Sequence, residues 1–229
     1  MGLILSIETA VSVCSVAVHK DGQLEGLLEV HQANIHAQKL LPLIDSLLTG
    51  LGLTVKELSA IAVSEGPGSY TGLRIGVSTA KGLAFAHGLP LIGVGTLEGL
   101  AQRARPFLEE GDVVIPMIDA RRMEVYAKVV DAALQELEPL APVIIDENSF
   151  AEYLAVGRVF FVGDGVAKVQ EVLRHDHARY LPLTNSAVAI GELAFEKYKK
   201  GQFVDLAYFE PNYLKEFKVL KSKKNPLAQ

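Results

Sequence analysis

The sequence predicts an α/β protein built from two copies of one unit, and three observations carry that expectation. Short apolar runs of strand length alternate with longer segments whose apolar residues recur every three or four positions. Both halves give their elements in one order: three strands, a helix, a strand and a helix. The first strand of each half also closes on an acid, Glu8 in one and Asp119 in the other. Repetition of this kind marks the internal duplication of a mixed-sheet unit, two βββαβα lobes.

Strands are expected near residues 3–8, 13–19 and 24–30, with Asp21-Gly22 turning the second into the third. A helix follows from about Asn34 to Gly50, then a strand at 60–64 and a helix at 72–87 with Thr71 as its N-cap. The second half restarts at VVIPMID (113–119) and runs through 123–130 and an extended segment around 142–146. A helix near 147–155, a strand at 159–162 and a helix at 166–174 complete it. The charged connector from Arg103 to Asp112 divides the chain into lobes 1–105 and 106–229. Helix 185–200 is expected to return to the first lobe, and the lysine-rich end reads as a solvated tail.

Composition narrows the function classes. With 49% hydrophobic and 21% charged residues the chain is globular rather than disordered. A net charge of −5 argues against tight RNA binding by this chain alone, which needs an excess of lysine and arginine to displace phosphate counterions. The single cysteine, Cys14, lies in the apolar run VCSVAV; it reads as a small hydrophobe and fits a reducing cytoplasm. No stretch is long and apolar enough to span a membrane, and the N-terminus lacks the basic region of a signal peptide. The Met1-Gly2 start fits a myristoylation pattern but reads better as the approach to an inner strand.

The most specific stretch is SEGPGSYTGLRIG, residues 64–76, which joins a strand to a helix and comes close to several phosphate-binding loops. A P-loop needs Gly-Lys-Ser/Thr five residues after its first glycine; Thr71 stands there after Gly66 and Leu73 after Gly68. A dinucleotide fingerprint needs its third glycine one residue before Gly72, and the hydrolase elbow fails because Gly68 adjoins Ser69 directly. The helix that follows carries Gly72, Gly76 and Gly82, each costing about 1 kcal/mol relative to alanine. Close approach of another backbone is the expected reason. Gly72, Gly76 and Ala80 form a stripe at i,i+4 spacing that packs either on its own sheet or on another protein. The earlier helix, with Leu40, Leu41, Leu43, Ile44, Leu47, Leu48 and Leu51, has a wider apolar surface than one sheet contact needs.

The loop, followed in order by IDARRMEVY (118–126), GDG (163–165) and PNYL (211–214) and preceded by HAQKLLPLID (36–45), resembles the signature of the TsaB (YeaZ) family over most of the chain. The signature positions are Gly66, Pro67, Gly68, Ser69, Tyr70 and Thr71. The resemblance implies a duplicated actin-like (ASKHA, ribonuclease H-like) fold, shared with sugar kinases and the 70-kDa chaperone ATPase. It implies a cytoplasmic, non-catalytic dimerisation subunit of the tRNA threonylcarbamoyltransferase complex. Its partners would be the metal-binding catalytic subunit TsaD and the ATPase TsaE, with a homodimer when alone, tRNA met only through the complex, and no membrane. The implied interface comprises His36, Leu40, Leu43, Leu47, Gly72, Arg74, Ile75, Gly76, Thr79 and Ala80. On that reading Gly76→Leu abolishes pairing while the fold survives. No cofactor is implied on this chain alone, with room for ATP or ADP at the subunit boundary, where Arg74 faces either a partner carboxylate or the nucleotide. The sequence departs from the family's pattern with Tyr70 for Phe, ETA at residues 8–10 for Asp-Thr-Ser, and Lys215 for Arg.

The residues themselves give no catalytic site. Active actin-like ATPases carry glycine in the first hairpin turn, whereas ETAVSV (8–13) places β-branched valines there. TsaD binds metal through His-x-x-x-His; here His31 and His36 are five apart, a turn of roughly 140° on a helix. His175 and His177 lie in a polar loop and fall short of a ligand set. Arg121 and Arg122 read as surface partners of Glu124 or Asp119. The competing functions are an independent actin-like ATPase or small-molecule kinase, and a glycoprotease-like hydrolase.

Overall fold

A computed structural model describes residues 2–214; Met1, Lys215 and the lysine-rich tail read from the sequence lie outside the described residues. Five strands form the first sheet: β1 (Leu3–Glu8), β2 (Val13–Lys20), β3 (Gln23–His31), β4 (Ala60–Gly66) and β5 (Leu91–Gly95), in the order β3-β2-β1-β4-β5. β6 (Val113–Asp119), β7 (Glu124–Asp131), β8 (Glu136–Ile144), β9 (Val159–Val162) and β10 (Ala178–Leu181) form the second, in the order β10-β9-β6-β7-β8. In each sheet the first three strands pair antiparallel and the last two add in parallel. The duplication read from the sequence is therefore a duplication of topology.

The helices are α1 (His36–Gly50), α2 (Tyr70–His87), α3 (Thr96–Ala104), α4 (Ala151–Val156), α5 (Val166–Val172) and α6 (Ala187–Lys199). Each unit is thus longer than βββαβα: β5 with α3, and β10 with α6, extend it by a strand and a helix. Two predicted boundaries also shift. Asn34 adopts a left-handed conformation (φ 63°), so α1 starts two residues later, at His36. α2 begins at Tyr70, and its cap is Ser69 rather than Thr71, because the Ser69 hydroxyl accepts from the Gly72 amide at 3.3 Å.

Strand alternation explains the layers. Leu5 and Ile7 of β1 face α1 and α2, packing with Val16, Val63, Leu40, Ile44 and Val77. Ile4 faces the other way, with Ala62, Ile92, Ile190 and Ala194 under α6. The first sheet is covered on both faces, as the continuous burial of β1, β2 and β4 requires. Helix α6 returns to the first lobe as the sequence suggested, and residues 203–214 follow it along that lobe. Val204 bridges to Leu91, the Lys81 ammonium donates to the carbonyls of Ala207 (3.2 Å) and Phe209 (2.9 Å), and the Asn212 amide reaches the Glu65 carbonyl at 2.7 Å.

The connector differs from a loose charged link. Most of α3 precedes it, and Asp112 is buried, held by Arg158 from the second lobe through Nε and Nη2, both at 2.8 Å. The same guanidinium donates to Glu109 at 2.6 Å. This two-pronged geometry is the strong form of a charge-assisted hydrogen bond.

Candidate functional site

The signature loop is built against the turn between β1 and β2. The Ser69 amide donates to the Ala10 carbonyl at 2.6 Å, and the Thr9 hydroxyl donates to the Gly72 carbonyl at 2.9 Å. The glycines answer to this contact. A Cβ at Gly68 would sit 2.4 Å from the Ala10 carbonyl oxygen, one at Gly72 2.1 Å from that of Thr9, and one at Gly76 2.2 Å from the Thr9 hydroxyl. Gly66, at φ +115°, is covered on its other side by the Asn212 carbonyl, 2.6 Å from where a Cβ would stand. Pro67 is buried and follows a cis peptide bond. The loop that resembles a phosphate cradle is filled by the chain's own backbone.

This placement corrects the reading of the small-residue stripe. Gly72, Gly76 and Ala80 are buried against their own lobe, so the close neighbour demanded by the glycines is Thr9, not a partner protein. The expectation that Gly76→Leu spares the fold fails for the same reason. Among the other expected interface residues, His36, Leu40 and Leu47 are also buried, with the His36 Nε2 at 3.2 Å from the Val13 carbonyl. Arg74 is exposed, while Leu43, Ile75 and Thr79 are half-buried. With the exposed Thr71, Ser78 and Gly82 of α2 and Leu41 of α1, these make an outer face of short and apolar side chains.

At one end of this face the Arg74 guanidinium lies over the Tyr70 ring, 4.4 Å from its centroid, and its Nε donates to the Tyr213 hydroxyl at 3.3 Å. The two tyrosine rings are 5.0 Å apart. Sequence reasoning did not connect Tyr213 or Asn212 with the loop, although PNYL was singled out as a motif; 139 residues separate Tyr213 from Arg74, and no local pattern reports such a contact.

The cleft between the lobes is closed. Val11, from the turn between β1 and β2, and Val13, the first residue of β2, pack with Leu97, Leu100, Ala101 and Ala104 of α3 and with Val114, Ile118, Phe160 and Val162 of the second lobe. Glu8 lies beneath them, fully buried, its Oε1 accepting from the Ala10 amide (2.6 Å) and the Ser64 hydroxyl (2.9 Å). Burial pushes its carboxyl up to about 7 against an ordinary 4.5.

Several other titratable groups have partners within the chain. Asp119 accepts from the Arg121 backbone amide (2.6 Å) and from the Lys168 ammonium (2.7 Å), so lysine rather than either arginine side chain neutralises it. Arg121 and Arg122 are exposed and hold left-handed backbone, φ 70° and 54°. His31 lies 3.4 Å from Glu29, and the His177 Nδ1 is 2.8 Å from the Leu154 carbonyl. Burial pushes the Cys14 thiol up to about 11. Among the described residues no three His, Cys, Asp or Glu side chains are grouped to hold a metal ion, and no helix is long and apolar enough to cross a membrane.

Fold and site together define a two-lobed actin-like protein whose inter-lobe space is occupied by its own side chains. The sequence is 33% identical over 223 residues to the tRNA threonylcarbamoyladenosine biosynthesis protein TsaB of Escherichia coli (strain K12), covering 93% of this chain and 94% of that one. The protein of the same name from Haemophilus influenzae is 31% identical over 227 residues, 93% of both chains. The solved structure of YeaZ from Pseudomonas aeruginosa superposes with a TM-score of 0.81 at 29% identity, over 93% of this chain and all of that one. The family model described as TsaD, tRNA N6-adenosine threonylcarbamoyltransferase, matches residues 29–219. The chain belongs to the TsaB (YeaZ) family. Its fold alone is shared, at 10% identity and a TM-score of 0.50 over 87% of this chain and 97% of that one, with the activator of the 2-hydroxyisocaproyl-CoA dehydratase from Clostridium difficile, solved with bound ADPNP.

Proposed function

We propose that this chain serves tRNA threonylcarbamoyladenosine biosynthesis as a non-catalytic subunit that pairs, through the outer face of α1 and α2, with a catalytic subunit of the TsaD family. The observation that carries the reading is the inter-lobe core. Val11, Val13, Leu97 and Leu100 fill the space between the sheets, and the glycines of the loop meet the chain's own backbone. A nucleotide needs backbone amides to face it, and here the Ser69 amide is given to the Ala10 carbonyl and the Gly72 amide to the Ser69 hydroxyl, while the carbonyls of Thr9 and Asn212 crowd Gly72 and Gly66.

The relatives' shared name supports the process; the outer face supports the role. Leu41, at 57% exposure, and Phe85, at 80%, add apolar area beside Ile75 and Thr79 that a partner helix would cover. In this reading the TsaD-type partner holds the metal and performs transfer, a TsaE-type ATPase joins the pair, and tRNA is met through the assembly. The same face makes a homodimer when the chain is alone, and Arg74 stands where ATP or ADP at the subunit boundary would be met.

Native mass spectrometry of the chain with TsaD from the same organism, each also run alone, tests this. A one-to-one complex that Ile75→Asp disrupts, with ATP turnover absent from the isolated chain, is expected. Failure to pair at micromolar concentration, or ATP turnover by the chain alone, overturns the reading.

A further inference from the structure

Helix α2 carries no Asp or Glu and, besides His87 at its end, two cations, Arg74 and Lys81. Lys81 is spent on the carbonyls of Ala207 and Phe209, which leaves Arg74 as the charge on the outer face. Its guanidinium is held in place from within the chain: one face covers the Tyr70 ring, and Nε donates to the Tyr213 hydroxyl at the end of the 203–214 segment. Those contacts fix the plane of the group and use one of its five N–H donors. The edge formed by Nη1 and Nη2, which meets a carboxylate with two parallel bonds, is given to no other side chain among the described residues. Glu210 of the same segment is near enough to act on Arg74 but closes no ion pair with it.

A partner helix laid on this face covers a guanidinium whose neighbours, Leu41, Leu43, Ile75 and Thr79, bring no anion. A charge buried that way without a counter-charge is strongly unfavourable, so the partner must supply one. Resting on the pairing proposed above, we propose that Arg74 receives a carboxylate of the catalytic subunit and thereby selects that partner over a second copy of this chain, with Tyr70 and Tyr213 as the residues that position it. A second copy brings the same acid-free α2 and an α1 whose charged side chains, Lys39 and Asp45, cancel. Its Glu210 already lies in the field of its own Arg74. Self-pairing thus leaves unanswered a charge that an acidic partner answers, and the difference is the discrimination.

The test is the Kd for TsaD from the same organism, measured by titration calorimetry in nucleotide-free buffer, beside sedimentation equilibrium of each variant alone. Arg74→Gln should weaken the heterodimer about tenfold or more, with self-association no weaker than in the wild type. Tyr213→Phe should weaken the heterodimer about threefold or more, and should have no effect once Arg74 is Gln, which a purely structural tyrosine would not show. Equal weakening of heterodimer and homodimer, or an unchanged heterodimer, overturns the proposal. An arginine effect that emerges only when ATP or ADP is added assigns the fork to a phosphate and overturns it too. Where Ile75→Asp disrupts the heterodimer and Arg74→Gln does not, the pairing stands and the role of the arginine falls.

Discussion

Gly72, Gly76 and Gly82 share one helix and one residue type, yet their surroundings separate them. A methyl group at Gly72 runs into the Thr9 carbonyl oxygen, which belongs to the backbone and has nowhere to go. At Gly76 it meets the Thr9 hydroxyl, whose own bond to the Gly72 carbonyl must then break. At Gly82 it meets nothing within 4 Å. Gly72→Ala and Gly76→Ala should each destabilise the protein by about 1–3 kcal/mol. Gly82→Ala should stabilise it by about 0.5–1 kcal/mol through helix propensity. Urea denaturation of the three variants checks both signs, and a neutral Gly72→Ala would contradict the loop packing. The sequence showed that these glycines needed a reason. It could not show that the reason was Thr9, because a contact spanning some sixty residues of chain leaves no periodic trace. The same limit explains why six of the ten residues expected at an interface are buried in their own lobe: spacing locates a stripe on a helix but not which stripe faces the sheet.

Elements were legible in proportion to their length and periodicity. α1, α2, β1, β6 and β9 emerged near their observed limits because amphipathic repeats or apolar runs bounded by turn residues define them. β5, α3 and β10 did not: Gly93 interrupts the apolar run of β5, β10 sets Arg179 and Tyr180 between its apolar ends where β9 is apolar throughout, and α3 spans nine residues. α6 was visible, but what lies under it was not. His19 of β2 is fully buried, both ring nitrogens lack a partner, and Gly191 comes so close that a Cβ would sit 2.1 Å from Nδ1. Burial pushes its imidazole below the ordinary 6.5. The folded state therefore holds His19 neutral while the unfolded chain protonates it, so this site costs stability as pH falls below 6.5. The raised Glu8 carboxyl acts in the opposite sense, costing stability as pH rises, and a difference measurement separates the two. His19→Met keeps an apolar filler without a proton to gain. Relative to wild type, its unfolding free energy should improve progressively from pH 7 to pH 5; a constant difference across that range would rule out titration of His19.

At the scale of the whole molecule, the duplicated order of elements was readable, but the way the copies join was not. The sequence suggested a charged connector, whereas the junction is an apolar core with α3 at its centre, flanked by the Arg158–Asp112 pair. Hydrophobic residues of that core come from 11–13, 97–104, 114–118, 130 and 160–162, positions that no single pattern links. Filling the space between the lobes with valine and leucine should weld them. Heating or urea should then unfold both lobes in one transition rather than two. Leu100, fully buried at the centre of this core, is the place to test it. Leu100→Ala should cost about 2–5 kcal/mol, from lost burial and the cavity left behind. Because the residue belongs to the joint, its loss should weaken the coupling between lobes as well as the total. Urea-dependent amide hydrogen exchange, followed at β1 in the first lobe and at β6 in the second, reads the two lobes separately. Coincident transitions in the wild type that separate in Leu100→Ala are the expected result. Two transitions already present in the wild type would mean that the cleft, though filled, does not bind the lobes into one cooperative unit.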